Sequence, residues 1–225
     1  MKHIDISSPL VTSMPVEDNK DALVSVKGHL NYGPPPECSE TEDCYHFLRE
    51  GVLEKLLHAE QSLPSGFRFR LYEGYRSPEF QDTLFHQQLQ RVVLNDPTLS
   101  PKDAYSIAAQ LVAPTRTYEG LPLFPPRSSG GAVDIEIVDS NGQVIDFGME
   151  IKDWVSVCPS LCETQALGLS PEAVKNRTML VSVMSEAGFV NYSREWWHFS
   201  YGDQYWAYFT GHPYAYYGSV GLARA

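Results

Sequence analysis

Between Ala113 and Arg127 the chain carries four prolines, Pro114, Pro122, Pro125 and Pro126. It then runs through Ser128, Ser129, Gly130 and Gly131 into the β-branched stretch Ala132-Val133-Asp134-Ile135-Glu136-Ile137-Val138. Proline fixes φ and lacks an N–H, so the first part can be neither helix interior nor central strand. It must be a loop, and a loop of that length in a compact domain is more often functional than idle. The stretch that follows reads as a strand entered through a Gly-Gly turn. Asp139-Ser140-Asn141-Gly142-Gln143 supplies a hairpin turn, and Val144-Ile145-Asp146-Phe147 can begin a return strand.

The chain on either side obeys the same punctuation. Residues 45–62 place Phe47, Val52, Leu53, Leu56 and Leu57 at helical spacing before Pro64-Ser65-Gly66 stops the helix. Phe67-Arg68-Phe69-Arg70-Leu71-Tyr72 alternates apolar and basic, which predicts a half-buried strand delivering Glu73-Gly74-Tyr75-Arg76 at its end. Residues 78–95 and 103–112 read as helices, the second following Ser100-Pro101. Ser170-Pro171 has the N-cap and N1 residues of a helix that should run to about residue 187, where Gly188 ends it. The strand-like Phe189-Val190-Asn191-Tyr192 follows. Residues 1–45 form an irregular lead-in, broken by Gly33-Pro34-Pro35-Pro36. The aromatic tail from Tyr201 demands no catalytic reading.

This order of elements predicts an α+β fold in which an antiparallel sheet carries the site and helices pack to one side. With 225 residues, 43% of them hydrophobic, the chain can bury a substantial core, and residues 1–225 read as one domain. A formal charge of −11 without a basic block argues against nucleic acid and against an anionic membrane surface. The first residues carry no apolar run of signal-peptide length, so a cytoplasmic location is expected. The partner is then a small molecule, with a homo-oligomer compatible with the composition. Cys38 with Cys44, and Cys158 with Cys162, could be two short-loop disulfides, four thiols or a four-sulfur zinc site.

The chemistry concentrates in Ser193-Arg194-Glu195-Trp196-Trp197-His198-Phe199. Three residues apart, Glu195 and His198 can face one small volume, where an imidazole can hold a metal and a carboxylate can take a proton from water. The spacing is common by chance, so other segments must support it. Asp134 does, because it follows three small residues that let a ligand or backbone approach closely. Arg76 is a permanently charged fork able to pair with a developing oxyanion, or simply with Glu73. Trp196 and Trp197 suit core packing, with Trp197 expected at the wall of a small pocket.

In order and approximate spacing, Gly74-Tyr75-Arg76-Ser77-Pro78, Ser128-Ser129-Gly130-Gly131-Ala132-Val133-Asp134, and residues 176–199 resemble the VanX-like D-alanyl-D-alanine dipeptidases of the zinc D,D-peptidase superfamily. The resemblance covers roughly residues 45–205. It implies a zinc-dependent dipeptidase acting on D-alanyl-D-alanine or a similarly short D-configured dipeptide, with one zinc ion. By that resemblance Asp134 and His198 are metal ligands, Glu195 is the general base and Arg76 stabilises the oxyanion. Glu73 falls where the family has an acid near that arginine. Glu73, Arg127, Ser128 and Trp197 are the expected substrate contacts.

One position departs from the family pattern S-x-H-x-x-G-x-A-x-D. Seven residues before Asp134, where the first histidine ligand is expected, stands Arg127. Guanidinium offers no lone pair and adds a fixed positive charge beside a cation. Three outcomes are open. Glu136, on the same strand face as Asp134, could be the replacement ligand. Alternatively the Arg127 guanidinium fills the metal volume and bridges Asp134, Glu136 and Glu195, giving a metal-depleted or repurposed homologue that binds a small amino acid or dipeptide through Arg127 and Arg76. Or Arg127 swings outward and the remaining groups bind the metal.

Overall fold

The computed structural model describes residues 3–34, 42–154 and 156–222. Its elements in chain order are α1 (Pro9–Thr12), β1 (Leu23–Ser25), β2 (Asn31–Tyr32), β3 (Phe47–Arg49), α2 (Glu50–Glu60), β4 (Arg68–Glu73), α3 (Pro78–Asn95) and α4 (Pro101–Leu111). After the proline-rich loop come α5 (Pro126–Ser129), β5 (Ala132–Val138), α6 (Pro159–Cys162), α7 (Pro171–Glu186), β6 (Val190–Asn191), β7 (His198–Ser200) and α8 (Gln204–Thr210). The three long helices after β4 start as the sequence demands. Ser77, Ser100 and Ser170 each cap a helix by accepting from a backbone N–H, and each is followed by proline at the first helical position.

A five-stranded sheet of order β2-β4-β5-β7-β6 organises the chain. The pairs β4/β5, β5/β7 and β6/β7 are antiparallel, as expected, but the edge strand β2 runs parallel to β4. Three other expectations shift. Residues 47–49 are strand rather than the first helical turn, and pair with β1 in a small second sheet. The return strand after Gly142 reduces to a single bridge between Val138 and Val144. The lead-in is also less irregular than its composition suggests, since α1, β1 and β2 lie within it.

Alternation gives the central sheet two unlike faces. Phe69, Leu71, Val133, Ile135, Ile137 and Phe199 are fully buried in the main core with Val52, Leu53 and Leu56 of α2 and Leu180, Val183 and Met184 of α7. The opposite face carries Arg70, Asp134, Glu136, His198 and Ser200. Helices α3 and α4 pack on each other through a smaller cluster of Phe85, Val92, Ala104 and Ala108.

Two features tie the periphery to the sheet. Arg49 is 1% exposed, and its guanidinium donates to the Ser129 carbonyl at 2.7 Å, Asp18 Oδ2 at 2.8 Å and the Gly218 carbonyl at 3.1 Å. It thereby joins the lead-in, α5 and the tail. At the α5 to β5 junction Gly130 has φ +74°, and a Cβ there would lie 2.6 Å from a methyl of Leu23. At Gly131 a Cβ would come within 2.4 Å of the Tyr201 carbonyl. No larger residue fits this junction, which fixes where Arg127 stands relative to Asp134.

Cys44, Cys158 and Cys162 are free thiols, so the second pair is not a disulfide; Cys38 lies outside the described residues. Among those residues no helix is long and apolar enough to cross a membrane.

Candidate active site

The polar face of the sheet brings Asp134 and His198 together through strand register, because the two are direct cross-strand partners between β5 and β7. Glu195 sits in the turn leading into β7. Its N–H bonds the Tyr192 carbonyl at 2.8 Å, and the Asn191 side-chain amide donates to the carbonyls of Glu195 at 3.2 Å and His198 at 3.0 Å. Beneath this turn Trp196 stacks on Phe147 with ring centroids 4.2 Å apart. The turn is therefore held by packing below and by hydrogen bonds at both ends.

His198 Nδ1 lies 3.1 Å from Asp134 Oδ1 and 3.8 Å from Glu195 Oε2. Ligand-type atoms of Asp134, Glu195 and His198 all lie within 4.8 Å of one another. That is the compactness a divalent cation needs from its donors. The donor set fits a metal chemically, since two carboxylates and an imidazole are ordinary zinc ligands. The buried Nε2 of His198 has no hydrogen-bond partner among the described residues, so the ring is held through Nδ1 alone.

Arg127 stands beside this group and donates through Nη2 to Asp134 Oδ2. Its Nη1 lies 3.6 Å from Glu73 Oε2 and has no hydrogen-bond partner among the described residues. Glu73 is gripped in turn by Arg76, Nε to Oε1 at 2.9 Å and Nη2 to Oε2 at 2.7 Å. Arg76 also donates to Gln81 Oε1 at 3.1 Å, and Gln81 donates to the Ala113 carbonyl at 2.7 Å. Glu73 reaches this row because β4 has an irregular register between Leu71 and Glu73, which pairs Glu73 with Asp134. A regular strand would put Glu73 on the core face with Leu71; the extra residue turns it to the site.

Three carboxylates, Glu73, Asp134 and Glu195, thus face two guanidiniums, Arg76 and Arg127, leaving one negative charge in excess. Burial alone would raise the Asp134 carboxyl, but Arg127 and His198 hold it below the usual carboxylate range. Glu195 goes the other way: burial raises it and the Asp134 charge adds to the rise, against the pull of His198 and the two arginines. The two carboxylates of this one site are thus shifted in opposite directions. Arg127 stays charged, since Asp134, Glu73 and Glu195 more than offset the penalty of its burial.

The expected residues are not all gathered here. Glu136 shares the strand face with Asp134, yet its carboxylate is taken by Arg70 of the neighbouring strand, with Nε to Oε1 at 2.7 Å and Nη2 to Oε1 at 2.6 Å. It does not join the Asp134, Glu195 and His198 group, and Arg127 bridges Asp134 to Glu73 rather than to Glu136. Trp197 packs edge-on against Trp196 in the main core, since it precedes His198 and points to the opposite face. Ser128 is fully buried, its carbonyl accepting from the Val220 N–H at 3.0 Å. Gln81 and Arg70 were not foreseen. For Gln81 the only signal is its place in the first turn of α3, five residues after Arg76.

A family profile described as D-ala-D-ala dipeptidase matches residues 45–215, a span that contains every residue of this site. The chain belongs to the D-ala-D-ala dipeptidase family. A D-alanyl-D-alanine dipeptidase of Synechocystis sp. is 28% identical, with 92% of this chain and 95% of that protein aligned. A D-alanyl-D-alanine dipeptidase of Escherichia coli is 32% identical over a shorter stretch, 32% of this chain and 35% of that protein. Among solved structures, the vancomycin-resistance D,D-pentapeptidase VanY in complex with Zn(II) superposes with a TM-score of 0.44 at 15% identity, covering 88% of this chain and 89% of that one. Family membership makes the chain a peptidase by class.

Proposed function

We propose that this dipeptidase-family protein is a zinc-dependent enzyme hydrolysing D-alanyl-D-alanine or a similarly short D-configured dipeptide. The observation that carries this reading is the meeting of Asp134, Glu195 and His198 within 4.8 Å of one another, with Arg76 joined to them through Glu73 and Arg127. Asp134 Oδ1 and His198 Nδ1 would hold the ion. Zinc, when bound, supplies a Lewis acid that polarises the scissile carbonyl and acidifies water.

The remaining work falls to the side chains. Glu195, with its carboxyl raised, accepts a proton from the attacking water at Oε2. As the water oxygen bonds to the carbonyl carbon and the C–N bond breaks, Glu195 returns that proton to the leaving amine. Arg76 is held in a fixed plane by Glu73 and Gln81, so its charge is oriented before substrate arrives and can stabilise the oxyanion without reorganising. The spare Nη1 of Arg127 is a buried cationic donor suited to a substrate carboxylate. Glu73 fixes the spacing of the two arginines.

Metal analysis of protein purified without chelator, paired with hydrolysis assays on D-alanyl-D-alanine and L-alanyl-L-alanine, tests the proposal. Stoichiometric zinc with turnover of the D,D-dipeptide is expected. Protein that takes up no zinc and cleaves neither dipeptide would overturn it.

A further inference from the structure

Helix α7 turns one side to the core, and on that side Ala173, Leu180 and Met184 are joined by Arg177, which is 2% exposed. A cation thus stands where the spacing calls for an apolar side chain. Among the described residues no carboxylate lies within ion-pair distance of it, and its hydrogen bonds all go to main-chain carbonyls of two other segments. Nε donates to Phe147 at 2.8 Å, Nη1 to Leu161 at 3.1 Å and to Glu163 at 2.6 Å, and Nη2 to Leu161 at 3.1 Å. Leu161 and Glu163 lie at the C-terminal end of α6, where carbonyls lack intrahelical partners and a cation is favoured. Burial brings the Arg177 pKa down to about 10, so the guanidinium keeps its charge at neutral pH. An apolar side chain of similar length would fill the place without desolvating a charge. What the guanidinium adds is a fixed geometry between segments.

The groups of residues 161–164 that Arg177 leaves untouched meet the turn that carries Glu195. The Cys162 carbonyl accepts from the Trp196 N–H at 2.9 Å, the Thr164 N–H donates to the Ser193 carbonyl at 3.0 Å, and the Thr164 hydroxyl donates to Asn191 Oδ1 at 2.6 Å. Carbonyls 161 and 163 are therefore bound to Arg177, while residues 162 and 164 bind the turn. The guanidinium also lies over the Trp196 ring, 5.4 Å from its centroid, and the Phe147 ring stacked on Trp196 belongs to the residue whose carbonyl Nε holds. We propose that Arg177 is a positioning residue for the hydrolysis: by fixing residues 147 and 161–164 against Trp196, it sets the place of the Glu195 carboxylate. Segments gripped by one planar fork cannot slide past each other, so the proton acceptor is in place before substrate arrives.

The kinetic consequence rests on the dipeptidase reading above, so the test includes a readout that needs no turnover. In Arg177→Lys and Arg177→Met, hydrogen exchange at the Trp196 and Thr164 amides is expected to quicken about tenfold or more, while amides of β4 and β5 keep their wild-type rates. On D-alanyl-D-alanine, kcat should fall about 10- to 100-fold with KM changed less than about twofold, because the proton acceptor is displaced and the substrate contacts are not. On a Glu195→Gln background the same substitutions should lower the residual rate little further, since the displaced group is already gone. An equal loss on both backgrounds, or quickened exchange throughout β4 and β5, would make Arg177 a general stabiliser and overturn its positioning role. Unchanged exchange at Trp196 and Thr164 would overturn it too. Thr164→Val, which removes the hydroxyl contact to Asn191, gives the same comparison with a smaller expected change should neither Arg177 variant fold. Wild-type protein that cleaves no dipeptide would strike the reading of function alone, and exchange at Trp196 would still decide whether Arg177 holds the turn.

Discussion

Arg127 holds one oxygen of Asp134 while His198 faces the other, so one carboxylate is shared between a guanidinium and an imidazole. The guanidinium reduces the negative charge available to a cation and donates no electron pair. Arg127→His removes the competing charge and supplies an imidazole seven residues before Asp134. Zinc affinity is expected to rise roughly tenfold or more, about 1.4 kcal/mol. Chelator competition with both proteins measures it, and equal affinities would show that the loop does not face the ion.

Glu195 is the one carboxylate of the group whose proton affinity is raised and which no arginine grips directly. Glu195→Gln keeps the shape and removes the proton acceptor. Turnover should fall by about 10²- to 10⁴-fold. Bound zinc should stay stoichiometric, because Asp134 and His198 are untouched. Loss of zinc together with activity would instead make Glu195 a ligand.

Much of this arrangement was legible in the chain before folding, and the illegible part has a common cause. The period-two run at residues 67–72, the Ser-Pro helix starts and the strand after Gly131 are local signals, and each formed where expected. The family motifs named Asp134, Glu195 and His198, whose ligand-type atoms lie within 4.8 Å of one another, and Arg76, which contacts them only through Glu73 and Arg127. What local patterns cannot show is which neighbour claims a polar group. Glu136 had the right spacing for a ligand, but Arg70 on the adjacent strand lies directly across from it in register. Nor does any local pattern mark Arg49, which is buried because Ser129, Asp18 and Gly218 converge on it from distant segments. The register irregularity that turns Glu73 toward Arg127 has no glycine or proline to announce it.

Arg76 is held by three hydrogen bonds to Glu73 and Gln81. Arg76→Lys retains the charge and loses the planar fork, so the charge is no longer fixed where the oxyanion develops. Expected is a fall in kcat of about 10²- to 10³-fold, with a smaller change in KM. Steady-state kinetics on the dipeptide separate the two. A change in KM alone would assign Arg76 to ground-state binding instead.

The Arg70 to Glu136 pair predicts a separation of stability from metal binding. Burial raises the Glu136 carboxyl against the pull of Arg70, so the pair is nearly sealed from solvent on the Glu136 side. Glu136→Gln should lower stability by about 1–3 kcal/mol, because Arg70 loses its counter-charge. Zinc affinity should be unchanged. A matching fall in zinc affinity would return Glu136 to the ligand set.

Tyr75 links the site strand to the tail, its hydroxyl donating to the Val220 carbonyl at 2.6 Å, and burial pushes its phenol up to about 12. The unfolded phenol titrates near 10. Between these values the folded state holds a proton that the unfolded state has lost, so unfolding becomes easier with rising pH. The contribution is fully present below about pH 10 and is lost toward pH 12; two units correspond to roughly 2–3 kcal/mol at most. Tyr192, Tyr205 and Tyr217 shift in the same direction by burial, and they steepen the decline. Tyr75→Phe should cost about 1 kcal/mol near neutral pH through the lost hydrogen bond. Its stability should then fall less steeply than wild type above about pH 10. Urea midpoints for both proteins from about pH 8 to about pH 11 test this, and parallel slopes would show that Tyr75 ionises as readily in the folded chain as in the unfolded one.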